Sequence, residues 1–296
     1  MNGLHEDFQP IAGRLQRMAD FLYGQAHDQN EVGRDEITVA LHDMDPAEVD
    51  ELIQKLDAKE IVLYDAHRNR VLLRSRGRYC YTSNCIPEVV LGLQYCAEKY
   101  SSAVVRIAVE KPDGSLAAGT GFFISDVPNR VITNRHVTFN NQIQRIEDQN
   151  GNVLHAGHLP SIAGPEDLDL AAIECPMPGG VMPLRLDWED GSLRRMDEVL
   201  VLGYPYVAHH YPALLHAQGR IGMRAKRMSS PEQAIRESLL LTDVAAPGCS
   251  GGPVISVRGM VVGVIEQQSV AHAAGAAAIN FVGALPSFYL REILPR

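Results

Sequence analysis

Near its C-terminal end the chain reads Pro247-Gly248-Cys249-Ser250-Gly251-Gly252-Pro253-Val254, a serine between glycines followed by an apolar, strand-like run. Glycine adopts backbone angles that other residues reach only at a cost in free energy, so a tight turn is expected here. Such a turn can direct backbone N–H groups towards one point beside the hydroxyl of Ser250, as an oxyanion hole requires. A serine hydroxyl is a weak nucleophile until a base removes its proton. If this turn is catalytic, the rest of the chain must supply that base and an acid that orients it.

Two earlier stretches contain a histidine and an aspartate in a suitable order. Gly119-Thr120-Gly121-Phe122-Phe123 leads to a second strand-like run, which ends at His136. Asp169 comes directly before the apolar run 170–173. A histidine can take the proton of a serine, and a carboxylate can hold the imidazole in the correct tautomer. Each residue alone has an ordinary interpretation as a turn, cap or structural residue, but their joint order favours a catalytic site.

Each of these roles has a second candidate. Asp167 lies two residues before Asp169, on the same side of an extended segment, and competes for the role of the acid. His155 and His158 compete for the role of the base, although the glycines and asparagine around them predict a loop. Cys249 is the alternative nucleophile, but the serine directly precedes the paired glycines, and a packed thiol is the favoured interpretation of Cys249.

Composition restricts the class of protein. The 296 residues suffice for two domains or for one large β domain with an appendage. A net charge of −9 argues against general affinity for nucleic acid. The N-terminus lacks the features of a signal peptide, and no apolar run approaches the roughly 18 residues of a membrane helix. The five cysteines match no zinc or redox spacing, which favours reduced thiols in the cytoplasm. No metal or other cofactor is expected. A disulfide between Cys80 and Cys85 is the weaker alternative.

Residues 1–85 predict three helices followed by a two-stranded hairpin. The third helix has the clearest start, because Asp45 is a typical N-cap and Pro46 suits the first helical position. The hairpin follows as two short apolar runs, 61–64 and 71–73, around a polar turn. This order resembles a winged helix-turn-helix domain, which implies a small α+β domain.

The charges of this segment favour a protein partner over DNA. Residues 1–85 contain ten basic and fifteen acidic side chains, and most charges of the third helix are acidic. A DNA-binding winged helix presents Arg, Lys, Asn or Gln to the major groove, and carboxylates there would repel phosphates. Five arginines from Arg68 to Arg78 are expected to form a basic wing. Residues 1–85 are therefore predicted to recruit or sense a protein partner, and nucleic acid is the less favoured alternative.

The pattern changes after a connecting segment. Residues 86–101 predict a helix that begins near Pro87. From residue 102 onward, short β-rich runs alternate with Gly, Pro, Asn and Asp, which is typical of an all-β barrel or a pair of barrels. Residues 286–294 are expected to form a C-terminal helix.

The motifs of residues 102–296 resemble those of the trypsin-like serine peptidases, in particular the bacterial HtrA-like branch. Val131-Ile132-Thr133-Asn134-Arg135-His136-Val137 matches the histidine motif of the family, except that a small residue is usual at Arg135. Asp169 with the apolar run after it matches the aspartate motif, and residues 248–253 match the serine motif.

This resemblance implies two barrels with a catalytic cleft between them. His136 would be the general base, Asp169 the orienting acid and Ser250 the nucleophile. The backbone N–H groups of Gly248 and Ser250 would form the oxyanion hole. Cys249 replaces the aspartate that pairs with a new N-terminus in cleavage-activated relatives, so activation by that route is not expected.

The resemblance also implies a substrate pocket beside the turn. Its walls are expected at Val244, Ala245, Ala246, Val264 and Glu266. Val244 falls where trypsin has the aspartate at the base of its pocket, so the resemblance implies a small or medium apolar side chain on the acyl side of the scissile bond. A Glu266 carboxylate that points inward would change this preference.

Together, these observations predict a cytoplasmic, multidomain protein. A winged-helix-like α+β domain (1–85) precedes a connecting helix (86–101) and an all-β, double-barrel, trypsin-like protease domain (102–296). The expected activity is hydrolysis of protein or peptide substrates by a serine endopeptidase, with no cofactor and no membrane partner. The rival hypothesis is a DNA-binding regulator whose barrel domain is an inactive scaffold.

Overall fold

A computed structural model describes residues 5–24, 30–157, 159–189, 193–206, 210–227, 236–242, 248–271 and 279–294. The chain divides into two compact units, residues 1–98 and 99–296. Each unit contains its own cluster of buried hydrophobic side chains. No helix within the described ranges is long and apolar enough to cross a membrane.

The N-terminal unit combines helices with a small sheet. Its elements in chain order are α1 (His5–Ala19), a π-helical turn (Asp20–Gly24), β1 (Glu31–Gly33), α2 (Arg34–Ala40), α3 (Pro46–Ala58), β2 (Val62–Asp65), β3 (Arg70–Leu73), α4 (Ser75–Thr82) and α5 (Ile86–Tyr100). The strands form an antiparallel sheet in the order β1-β3-β2. The predicted α+β character of this unit is confirmed, whereas its assignment as a winged helix stays a prediction.

The start of α3 follows the sequence prediction. Asp45 has extended backbone angles, and its carboxylate accepts a hydrogen bond of 2.7 Å from the backbone N–H of Ala47. This bond satisfies one of the N–H groups that a helix leaves without an intrahelical partner at its first turn. The apolar residues of the helix are buried, and they are Val49, Leu52, Ile53 and Leu56. They fall at helical spacing, so the pattern within this single helix was sufficient to predict it.

The predicted basic wing is partly wrong. Arg76 and Arg78 lie on α4, and Arg74 is the N-cap of that helix, so these arginines do not extend the hairpin. Helix α4 was not predicted because its residues lack an apolar stripe at helical spacing. Gly77 has a packing reason to be there, since a Cβ at this position would meet the Tyr23 hydroxyl and the carbonyl of Ile61. Strand β1 was also not predicted.

Helix α5 covers nearly the span predicted for a connecting helix. It is broken at Gly92, which has a φ of 79°. Ile86, Val89 and Val90, all before the break, belong to the hydrophobic cluster of the N-terminal unit. The limits that the sequence suggested for the domains remain a prediction.

The C-terminal unit contains two seven-stranded sheets. After a 3-10 turn (Ser101–Ala103), the first sheet and its one-turn helix comprise β4 (Val104–Glu110), β5 (Leu116–Phe123), β6 (Arg130–Thr133), α6 (Arg135–Thr138), β7 (Gln142–Glu147), β8 (Val153–Ala156), β9 (Ser161–Ala163) and β10 (Ala171–Glu174). Its strand order is β8-β7-β4-β5-β6-β10-β9.

The second sheet closes on itself. It comprises β11 (Arg185–Leu186), β12 (Glu198–Gly203), β13 (Leu215–Arg227), β14 (Arg236–Thr242), β15 (Pro253–Ser256), β16 (Met260–Ala271) and β17 (Ile279–Pro286). The order is β11-β16-β15-β12-β13-β14-β17, and β17 pairs with β16 as well as with β14. Closure pairs the strand edges with one another, which is how a barrel avoids exposed backbone groups. The predicted double-barrel fold class is confirmed.

The C-terminal segment differs from the predicted helix of residues 286–294. It is a 3-10 helix, Ser287–Glu292. Contacts with distant residues hold it: Ser287 Oγ donates a hydrogen bond to the carbonyl of Asp187, and the Tyr289 hydroxyl accepts one from the backbone N–H of Glu237. Short 3-10 segments are common as connectors, and here tertiary contacts fix the conformation.

Candidate active site

The pairing of two strands brings His136 and Asp169 together. Strand β6 ends just before His136, and β10 begins just after Asp169. The two strands are antiparallel, with Thr133 opposite Ala171. Because the end of one strand lies beside the start of its antiparallel neighbour, residues separated by 33 positions in the chain become neighbours.

Asp169 contacts both the ring and the backbone of His136. Its Oδ2 lies 2.7 Å from His136 Nδ1, and its Oδ1 accepts a hydrogen bond of 2.9 Å from the His136 backbone N–H. The side chain of Asn134 donates a hydrogen bond of 2.8 Å to the backbone carbonyl of Asp169. The carboxylate is therefore fixed at two points. The His136 side chain is 53% exposed, so about half of it is accessible to solvent.

The turn that contains Ser250 has the tight geometry expected from its glycines. Gly248 and Gly251 have φ values of 101° and 86°, which favour glycine. The N–H of Gly252 donates to the carbonyl of Cys249, which closes the turn, and the N–H of Gly251 donates to the carbonyl of Ile265 on β16. The bond to Ile265 fixes the turn to the second barrel.

Two consecutive residues of β5 connect this turn with the histidine segment. Gly119 lies against Val137, the residue after His136, because a Cβ on Gly119 would come within 2.6 Å of the Val137 side chain. The next residue, Thr120, donates its backbone N–H to the carbonyl of Ser250 at 2.9 Å. No hydrogen bond joins the Ser250 hydroxyl to the His136 ring, both of which are described. Catalytic hydrogen bonds often tighten only when substrate is bound.

Asp167, the second candidate for the acid, has a different partner. Its Oδ2 accepts a hydrogen bond of 2.8 Å from Nε of Arg236, which also pairs with Glu292. The Arg236 guanidinium lowers the pKa of the Asp167 carboxyl below its usual value. Asp167 therefore lies within an ion-pair network, whereas Asp169 contacts His136.

His155 and Cys249 have surroundings that differ from those of His136 and Ser250. The prediction that His155 lies in a loop is wrong, because it belongs to strand β8 and pairs with Ile146. Backbone pairing in the sheet overrode the local turn signals. His158 lies outside the described residues. Cys249 is completely buried and packs against Gly203, where a Cβ would meet its side chain, whereas Ser250 is partly exposed. All five cysteines are buried thiols.

Two of the predicted pocket residues can be placed. Val264 is completely buried and pairs with Pro253 at the start of β15. Glu266 is also buried and lies where the register of β16 shifts against β17. A β-bulge of this kind can redirect a side chain. The positions Val244, Ala245 and Ala246 lie outside the described residues. Within the described part of the chain, no cluster of three or more His, Cys, Asp or Glu side chains could hold a metal ion.

Three residues near the site had not been assigned a role from the sequence. Thr120 had a visible signal, because it stands between two glycines in a strand. Asn134 lies two residues before His136, but nothing in the sequence indicates that its side chain reaches Asp169. No sequence pattern indicates the ion pairs of Arg236, since its partners Asp167 and Glu292 are 69 and 56 residues away along the chain.

Comparison with known proteins agrees with this geometry. Residues 119–264 match the family model described as a trypsin-like peptidase domain. No curated protein sequence matches the chain. The predicted resemblance of the C-terminal unit to the trypsin-like serine peptidases is thus confirmed.

Three solved structures are similar in fold. A variant of the HtrA-type protease AlgW with a tripeptide has a TM-score of 0.53 and 19% identity over 67% of this chain and 60% of that chain. AlgW with a tripeptide has a TM-score of 0.51 and 20% identity, covering 65% of this chain and 58% of that chain. The active form of the Rv3671c protease from M. tuberculosis has a TM-score of 0.51 and 24% identity, covering 68% of this chain and 85% of that chain. The match therefore spans less than two thirds of the AlgW chains, and at these identities it establishes the fold.

The contribution of the ion pairs of Arg236 to stability can be measured by substitution. We expect Arg236→Met to lower the free energy of unfolding by about 2 kcal/mol, because it leaves two partly buried carboxylates without their cation. Arg220→Met is the matched control: its pair with Glu198 is about half exposed, and its loss should change stability by less than about 0.5 kcal/mol. Thermal unfolding measures the stability of both variants. Equal losses of stability would contradict a stabilising role for the Arg236 ion pairs.

The same variant carries a pH signature. The folded-state pKa of Asp167 is lowered, so its stabilising effect is present above the ordinary carboxyl pKa of about 3.9 and is lost as the pH falls through the lower folded-state value. The difference in Tm between wild type and Arg236→Met should therefore shrink as the pH is lowered below about 4. A difference that stays constant over this range would argue against Asp167 as the partner that matters.

Proposed function

We propose that the protein is a serine endopeptidase with Ser250 as nucleophile, His136 as general base and Asp169 as the acid that orients the base. The observation that carries this proposal is the double contact of Asp169 with the ring and backbone of His136, beside a glycine turn that contains a serine. The trypsin-like fold supports peptidase activity. Cys249 is a poor rival as nucleophile because it is completely buried.

The proposed roles define the following reaction. Ser250 Oγ attacks the carbonyl carbon of the scissile peptide bond while His136 takes the hydroxyl proton through Nε2. Asp169 holds the proton on Nδ1 and stabilises the imidazolium. The imidazolium then gives its proton to the leaving amine, which releases one peptide and leaves an acyl-serine. Water, activated by His136, hydrolyses this ester and restores the serine hydroxyl.

The negative oxygen of the tetrahedral intermediate needs donors that are already oriented. The backbone N–H groups of Gly248 and Ser250 are the proposed donors, and each is worth about 3 kcal/mol in related sites. The φ of 101° at Gly248 is a backbone conformation that favours glycine, which fits the tight turn that this proposal requires.

The substrate is a protein or peptide, for which we propose a small or medium apolar residue on the acyl side of the scissile bond. The apolar residues Val244, Ala245 and Ala246 motivate this preference, because none of them carries a charge that would attract a basic side chain. Glu266 is buried on β16, and a carboxylate that faced the pocket would make a basic residue the competing preference. Peptides that differ only at this position distinguish the two.

We also propose that the N-terminal unit recruits or senses a protein partner. Helix α3 carries acidic side chains, of which Glu51 is exposed, and Arg76 and Arg78 are exposed on α4. An acidic α3 is a poor match for phosphates, so DNA binding is the less favoured alternative. The five cysteines are buried thiols, which supports the cytoplasm as the proposed location.

The most direct test of the nucleophile is covalent labelling with a fluorophosphonate, which reacts with activated serines. We expect labelling of the wild type, none of Ser250→Ala, and retained labelling of Cys249→Ala as the matched control. Labelling of Ser250→Ala equal to the wild type, or no labelling of any variant, would contradict the proposal.

Kinetics of peptide hydrolysis test the acid. Asp169→Asn should lower kcat by about 10⁴-fold, because an amide stabilises the wrong tautomer of His136. Asp167→Asn is the control, since its carboxylate pairs with Arg236 and not with His136; its kcat should stay within about threefold of wild type. A larger loss in Asp167→Asn than in Asp169→Asn would exchange the two assignments.

The partner hypothesis is tested by reversing charge on α4. The double variant Arg76→Glu and Arg78→Glu should hydrolyse short peptides at the wild-type rate. In a pull-down analysed by mass spectrometry, it should fail to bind a protein that the wild type binds. Glu51→Lys reverses a charge on α3 instead, so the comparison shows whether the partner binds through α3 or through α4. Salt-dependent binding of duplex DNA that the double variant abolishes would support the rival hypothesis instead.

A further inference from the structure

We propose that Thr120 is a positioning residue whose hydroxyl holds Gly248 in the orientation that the oxyanion hole requires. This inference rests on the proposed peptidase function and deepens it. Thr120 lies on β5 of the first sheet, whereas Gly248 lies in the turn before β15 of the second sheet. A side chain of one barrel would thus set the geometry of a group that belongs to the other.

The Thr120 hydroxyl makes two hydrogen bonds to two different segments of the second barrel. It donates to the backbone carbonyl of Gly248 at 2.9 Å and accepts from the backbone N–H of Tyr204 at 2.9 Å. Thr120 is completely buried, so its hydroxyl has no access to solvent and depends on these two protein partners. The hydroxyl therefore acts as a donor and as an acceptor at once, and it bridges the backbone of Tyr204 and the backbone of Gly248.

These bonds matter because Gly248 has no side chain that could hold it in place. Its φ of 101° is one of several backbone conformations that glycine reaches readily. The segment from Tyr204 to Tyr206 lies directly against it, since a Cβ at Gly248 would come within 2.8 Å of the backbone N of Tyr206. The hydroxyl of Thr120 thus fixes the carbonyl of the residue whose N–H is the proposed oxyanion donor.

The backbone of Thr120 has a separate task. Its N–H donates to the carbonyl of Ser250 at 2.9 Å, and its carbonyl accepts a hydrogen bond of 2.7 Å from the Thr133 hydroxyl. A substitution of the Thr120 side chain leaves these backbone groups in place. Loss of the hydroxyl should therefore disturb Gly248 while Ser250 keeps its support, which separates oxyanion stabilisation from placement of the nucleophile.

The variant Thr120→Val tests this separation, since valine keeps the shape of threonine and replaces the hydroxyl with a methyl group. We expect kcat on a peptide substrate to fall by about 10²-fold, because a misplaced oxyanion donor acts on the transition state. KM should stay within about twofold. The affinity for a peptide boronate, which mimics the tetrahedral intermediate, should fall by about the same factor as kcat/KM.

Two further variants separate positioning from folding. Thr120→Ser keeps the hydroxyl and should restore kcat to within about threefold of wild type. Ser238→Ala removes a buried hydroxyl that bonds to the carbonyl of Ala284 elsewhere in the second barrel, and it should lower Tm without changing kcat or boronate affinity. If Thr120→Val does not fold, the comparison of Thr120→Ser with Thr120→Ala takes its place.

The outcomes distinguish the inference from the function on which it rests. A folded Thr120→Val with wild-type kcat and boronate affinity overturns the inference alone. So does Thr120→Ser if it is as impaired as Thr120→Val, or as Thr120→Ala where valine does not fold. A wild type that hydrolyses no peptide and binds no boronate overturns the proposed function, and the inference with it.

Discussion

The close approach of the Ser250 turn to the first barrel is the constraint on which the C-terminal unit depends. A Cβ at Gly251 would meet the carbonyl of Thr120 and the hydroxyl of Thr133, and a Cβ at Gly252 would meet the carbonyl of Leu202. Only glycine allows backbone to lie against backbone at these distances. The turn can therefore receive hydrogen bonds from one sheet while it remains anchored to the other through Ile265.

The contact between the Ser250 turn and strand β5 brings together reactive groups that come from two different sheets. His136 and Asp169 come from neighbouring antiparallel strands of the first sheet, so local pairing suffices to join them. The serine comes from the second sheet and reaches this edge only because Gly119 and Thr120 fit against both segments. Hydrogen bonds of the buried residue Thr120 hold this junction, and such polar contacts give it a specific geometry.

Much of this could be predicted from local patterns, and the failures have physical causes. The N-cap at Asp45 and the buried stripe of α3 depend on residues within one helix, so the sequence was sufficient. Helix α4 has no apolar stripe, and it packs through Gly77 against Tyr23 and Ile61, which lie far away in the sequence. His155 was misassigned to a loop because its strand forms through pairing with a distant strand.

The sequence alone determined the order of histidine, aspartate and serine, the glycines that permit the turn, and the change from helical to β-rich patterning after residue 101. These are properties of single residues and of their neighbours along the chain. Only the tertiary structure decided that Asp169 rather than Asp167 contacts His136, because the deciding partner of Asp167 is Arg236 on the other barrel. It alone also revealed the two hydrogen bonds of the Thr120 hydroxyl, since residues so far apart become neighbours only when the two barrels pack together.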